Sequence, residues 1–139
     1  MKLHVKMRLS TMMFLEFFIW SSWFVTLGSF LAANLAATGA QSAQAYSTQS
    51  WGAICAPFIV GLIADKYVNA ERLLGGIHLI GAVLMYLLAR AHSFPEFYPY
   101  LLAYMILYMS TLALVNSISF RQMDDPAREF SKIRIWGTL

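Results

Sequence analysis

The chain has 139 residues, 59% of them hydrophobic and only 12% charged, with a net charge of +3 and a mean hydropathy of +0.59. Soluble domains carry about 25% charged residues, so ten basic and seven acidic side chains would cover a soluble core of this size too thinly. The single cysteine excludes a disulfide framework or a cysteine metal site, and the basic residues are scattered between apolar runs instead of forming a stripe for nucleic acid.

A membrane helix needs roughly 20 apolar residues to cross about 30 Å of hydrocarbon. After a leader carrying Lys2, Lys6 and Arg8, the first such run extends from about Leu9 to Leu35, with Glu16 its only charge. The leader, the run and the small residues Ala36-Ala37-Thr38-Gly39-Ala40 imitate a secretory signal. The run is too long for one, and it contains Glu16, so we expect no cleavage. The connection from Ala36 to Ala45 carries no charge. The second run, Tyr46 to Ala64, holds Gly52 and Ala56 four residues apart, which suits close helix packing in lipid. Pro57 inside it is expected to bend the helix. Cys55, in the same run, reads as a small packing residue.

A charged loop follows, with Asp65, Lys66, Glu71 and Arg72. The third run, Leu73 to Ala89, is short and holds Gly75, Gly76 and Gly81, again read as close-packing positions. The next loop carries Arg90 and Glu96, and Pro95 and Pro99 are expected to mark its turn. The fourth run extends from Tyr98 to Phe120. Asn116, Ser117 and Ser119 near its end are expected to bond across helices. A last basic connection holds Arg121, Arg128, Lys132 and Arg134, and a fifth apolar run begins at Ile133 and stops at Leu139. Counting alternate connections puts nine of the ten Lys and Arg on one side. Positive residues stay in the cytoplasm, so we expect a cytoplasmic N-terminus. The expected architecture is an all-α membrane protein of four transmembrane helices plus the start of a fifth.

The second loop reads Gly61-Leu62-Ile63-Ala64-Asp65-Lys66-Tyr67, then Glu71-Arg72. It resembles the Gly-x-Leu-Ala-Asp-Arg-x-Gly-Arg-Lys loop of the major facilitator superfamily, in the position that loop occupies. Lys66 stands for Arg and Val68 for the second Gly. Asp65 could cap the following backbone or pair with a cation across the interface between the transporter halves. An ordinary charged loop is the plainer reading. The first run, Phe14-Leu15-Glu16-Phe17-Phe18-Ile19-Trp20-Ser21-Ser22-Trp23-Phe24-Val25-Thr26-Leu27-Gly28-Ser29, is similar to that of the nucleoside:proton symporters of that superfamily. So are Ala64-Asp65-Lys66-Tyr67, Thr111-Leu112-Ala113-Leu114-Val115-Asn116-Ser117-Ile118-Ser119-Phe120 and the closing Ile133-Arg134-Ile135-Trp136-Gly137-Thr138.

The resemblance implies that residues 1–139 are part of the N-terminal six-helix half of a twelve-helix transporter in a bacterial inner membrane. It implies symport of nucleosides and protons, with the lipid bilayer and the remaining C-terminal part as partners, no nucleic acid and no cofactor. It also implies that Arg134 and Thr138 contact the nucleoside. Four residues apart, they would share one helix face. Arg supplies five donors and Thr a hydroxyl. From the residues alone, Arg134 reads first as a topology-setting charge at a helix end, and it is the resemblance that turns the reading to substrate contact. Glu16 is an intramembrane carboxylate, and such groups are costly and often functional. It is a candidate for proton coupling or substrate contact, or else a carboxylate near the interface that reaches water or a basic partner. Gly61, Asp65, Lys66 and Arg72 are the candidate conformational loop. Trp20, Trp23 and Trp51 could stack on a base but read first as interface or packing residues. The three His have no metal spacing.

Two other functions remain at this level: transport of another small solute such as a sugar, and a small multi-pass scaffold. A membrane enzyme would need a clustered nucleophile, acid pair or metal set, and none is present. A four-helix piece lacks the two repeats that alternating access requires, so the chain alone is expected to transport nothing.

Overall fold

The computed structural model describes residues 1–64 and 66–139. Its elements are all helical: α1 Leu3–Phe24, α2 Leu27–Leu35, α3 Gly39–Ile63, α4 Ala70–Ala89, α5 Phe94–Arg121, α6 Pro126–Arg134 and a 3-10 turn, Ile135–Gly137. Three stretches among the described residues are long and apolar enough to cross a membrane: Leu3–Leu35, Ala70–Ala89 and Phe94–Arg121. The expected second span, α3, is a continuous helix of 25 residues. Its first half carries Gln41, Ser42, Gln44, Ser47, Gln49 and Ser50, which keep it less apolar than the others.

Helix ends differ from expectation in three places. The first run is interrupted at Val25–Thr26. Just before that point Ser21 donates to the Phe18 carbonyl at 3.1 Å, Ser22 to Ile19 at 2.7 Å and Thr26 to Trp23 at 3.0 Å. Such hydroxyl back-bonding competes with the helix ladder and bends it. Pro95 and Pro99 do not mark a turn: both lie within α5. Pro95 falls in the first turn, where the N–H groups have no helical partner, whereas Pro99 lies inside the helix, where its missing N–H cannot reach the Pro95 carbonyl. The last helix begins at Pro126, before Ile133, because proline at the first helical position is pre-set for the turn.

The connection between α2 and α3 is built locally. Ala36 adopts a left-handed backbone with φ 48°, and the Ala37 N–H reaches the Leu31 carbonyl at 3.0 Å. Thr38 then caps α3. Its hydroxyl accepts from the Gln41 N–H at 3.2 Å, and the Gln41 side chain accepts from the Thr38 N–H at 2.9 Å. This reciprocal pair satisfies two donors that the helix start leaves orphaned.

The chain divides into two compact units. The larger, Leu27–Leu114, is organised on α5. Leu101, Tyr104, Met105, Tyr108, Thr111 and Leu114 recur at helical spacing and are buried. Small residues let the other helices approach this stripe. A Cβ on Gly52 of α3 would lie 2.6 Å from the Met105 carbonyl oxygen, so backbone meets backbone there. Gly81 of α4 lies against the Tyr104 ring at 3.3 Å by the same measure. Gly75 and Gly76, expected to act alike, have no described atom within 4 Å of such a Cβ. Phe30 of α2 stacks on Phe97 of α5, with ring centroids 5.6 Å apart.

The smaller unit joins Met1–Thr26 with Val115–Leu139. Leu9, Met13 and Glu16 are the buried residues of α1 and lie along one face of it. Val115, Ile118, Met123 and Ile133 are buried from the other segment. Phe120 and Phe130 pack with centroids 4.6 Å apart across the α5–α6 turn. The Met1 ammonium donates to Asp124 at 2.7 Å and to Glu129 at 3.1 Å. Glu129 also accepts from the Asp124 and Asp125 backbone N–H groups at 3.1 and 3.3 Å, so one carboxylate ties the turn and the chain start together.

Candidate substrate site

Two elements of the smaller unit carry the residues expected to act. On α1, Glu16 and Phe17 are consecutive. Glu16 is 2% exposed. It lies on the same helix face as Leu9 and Met13, so periodicity turns it inward with two apolar residues. Arg134 is the last residue of α6. Its guanidinium carbon lies over the Phe17 ring, 5.1 Å from the centroid. A cation over an aromatic face within about 6 Å is attracted by the ring quadrupole.

Thr138 does not continue an α-helical face from Arg134. The chain tightens into the 3-10 turn after Ile135, as helix ends commonly do. The Thr138 N–H bonds the Ile135 carbonyl at 3.0 Å, and its hydroxyl donates to the same oxygen at 2.7 Å. The hydroxyl proton is therefore engaged, and the oxygen retains acceptor capacity. Arg134 and Thr138 are both exposed.

Gly137 lies between them and against Phe17. A Cβ there would fall 2.5 Å from Phe17 Cδ2 and 3.0 Å from Cε2. The structure thus brings Phe17, Arg134 and Gly137 together. Phe17 had no signal of its own in the sequence, since no periodicity links it to a residue so distant in the chain. An apolar groove of about 510 Å³ adjoins Trp136, walled by Leu3, Met7 and Phe14 of α1 and by Leu139.

The other expected residues lie elsewhere. Gly61 is exposed near the end of α3, and a Cβ there meets no described atom. Lys66 is exposed in the following turn and Arg72 in the first turn of α4. Asp65 lies outside the described residues. Ser119 does not bond across helices as expected; its hydroxyl donates to the Val115 carbonyl of its own helix at 2.8 Å. Trp20 stacks on Phe24 at 4.2 Å and meets Trp23 edge-on at 5.5 Å. Trp51 is exposed.

Comparison with known proteins adds the family. A family model described as "Nucleoside H+ symporter" matches residues 2–139. Over 132 residues the chain is 41% identical to YegT of Escherichia coli (strain K12), covering 95% of this chain and 31% of that protein. It is 38% identical over 139 residues to the xanthosine permease of the same organism, covering 97% and 33%. It is 33% identical over 141 residues to its nucleoside permease NupG, covering 99% and 34%. A crystal structure of the nucleoside transporter NupG superposes with a TM-score of 0.88 at 34% identity, covering 96% of this chain and 34% of that one. This bears out an all-helical stretch of a major facilitator transporter. The chain spans about a third of the length of the curated relatives it matches. With a match that runs unbroken across residues 2–139, the chain belongs to the nucleoside H+ symporter family.

Proposed function

We propose that this chain is the N-terminal third of a transporter that carries nucleosides into the cytoplasm together with protons, across a bacterial inner membrane. The observation that carries the reading is the continuous family match over residues 2–139. The names of the relatives, a xanthosine permease and a nucleoside permease, agree with it. On this reading α1–α2, α3, α4 and α5 are the first four spans. Residues from Pro126 to Leu139 lead into a fifth, and the N-terminus is cytoplasmic. Nine of ten basic residues on one side support that orientation.

Arg134 and Thr138 are the proposed nucleoside contacts. The exposed guanidinium offers in-plane N–H donors to base or ribose oxygens, and the Thr138 oxygen offers an acceptor. Glu16 is the proposed proton-coupling group, a buried carboxylate inside an apolar span. The loop containing Gly61, Asp65, Lys66 and Arg72 is the proposed conformational element, holding one state through contacts absent from the other.

The test uses the complete coding sequence, expressed in cells that lack endogenous nucleoside uptake. Labelled uridine should accumulate, and a protonophore should abolish the accumulation. Proton-dependent uptake of a sugar with no nucleoside uptake would overturn the reading.

A further inference from the structure

We infer that Phe17 is a positioning residue for Arg134, setting the plane in which the guanidinium meets the oxygen-bearing edge of a nucleobase. The inference rests on the reading of Arg134 as a nucleoside contact. Arg134 ends α6 and is exposed, so its long side chain would otherwise sample many rotamers. The Phe17 ring, 5.1 Å from the guanidinium carbon, restricts that freedom. A guanidinium that stacks on an aromatic face keeps its N–H edge available for planar acceptors. A lysine could not be oriented in this way, because an ammonium has no plane.

Gly137 makes the arrangement possible. A Cβ at that position would lie 2.5, 3.0 and 3.3 Å from three successive ring atoms of Phe17. Any side chain there would displace the ring on which Arg134 rests. Phe17 itself is fixed to α1, a helix of 22 residues, beside the buried Glu16. The two segments that meet here are distant in sequence, and neither carries a motif for the other. Phe17 need not touch the nucleoside. It acts through Arg134.

The experiment measures uridine binding and thermal midpoint in the purified complete transporter, for the wild type, R134Q, F17L, F17Y and the F17L/R134Q double variant. R134Q reports on the underlying reading by itself, and it should weaken binding. F17L should weaken binding roughly five-fold while F17Y stays within about two-fold, since tyrosine keeps the aromatic face. The double variant should bind no worse than R134Q, because Phe17 has no role once the guanidinium is gone. Three results would overturn the proposal: wild-type binding in F17L with weakened binding in R134Q, additive losses in the double variant, or equal losses in F17L and F17Y. In each of these Arg134 remains a contact and only the role of Phe17 falls. Wild-type binding in R134Q would remove the reading of Arg134, and the inference with it.

Discussion

At the scale of single residues, spacing and chemistry do different work. Glu16 shows both. Its position in an apolar run marked it, and its burial at 2% exposure fits a group that must be held away from bulk water. In the complete transporter, Glu16→Gln should keep nucleoside binding but lose proton-driven accumulation, measured as uptake against an imposed pH gradient. Unchanged coupling would remove Glu16 from the mechanism. The glycines make a second case. Gly52→Ala should lower stability by about 1–3 kcal/mol, because the new methyl would push against the Met105 backbone. Gly75→Ala should raise it by up to about 1 kcal/mol, since alanine favours helix and a Cβ there meets no described atom. Thermal midpoints in detergent would separate the two. Equal effects would mean that the close approach at Gly52 carries no energetic weight.

At the scale of elements, the ends of helices carry information that the apolar runs did not. The capping box at Thr38 and Gln41 starts α3 well before its apolar half, and Pro126 starts α6 before the fifth apolar run. The α5–α6 turn is fastened by the Met1 ammonium. Hydrogen bonding to Asp124 and then to Glu129 raises the pKa of that amine above its ordinary 8.0. Hydrogen bonding to the same amine lowers Asp124 below 3.8 and Glu129 below 4.5. The amine's contribution is complete below pH 8.0 and is lost as pH rises through its raised value. The carboxylates' contribution is complete above their ordinary values and is lost as pH falls through the lowered ones. The fastening should therefore be complete between about pH 4.5 and 8.0 and weaken on either side. N-terminal acetylation should remove it, and hydrogen exchange at the Asp124 and Asp125 amides, compared at one pH, would show faster opening. An unchanged exchange rate would show that the amine does not hold the turn.

At the scale of the whole molecule, the chain spans about a third of its relatives' length, and on the proposed reading that third cannot rock two repeats about a site. Vesicles containing only residues 1–139 should show no uridine uptake, whereas vesicles with the complete protein should; uptake by the shorter chain would refute the division of labour proposed here. The sequence by itself determined the class of protein, because long apolar runs with few charges have only one solvent they suit. It also determined the family, through short stretches such as Ile133-Arg134-Ile135-Trp136-Gly137-Thr138, and it marked Glu16, because charge in hydrocarbon is conspicuous. It did not reveal that α1 breaks at Val25–Thr26, since hydroxyl back-bonding shows only in the folded backbone. Nor did it show that Arg134 and Thr138 leave a common helix face, which local tightening of the last turn decides. The pairing of Phe17 with Arg134, and the need for Gly137 beside them, came from tertiary structure alone. Hydropathy and helical period describe each segment in isolation, whereas the partner of an exposed side chain is chosen by how distant segments pack.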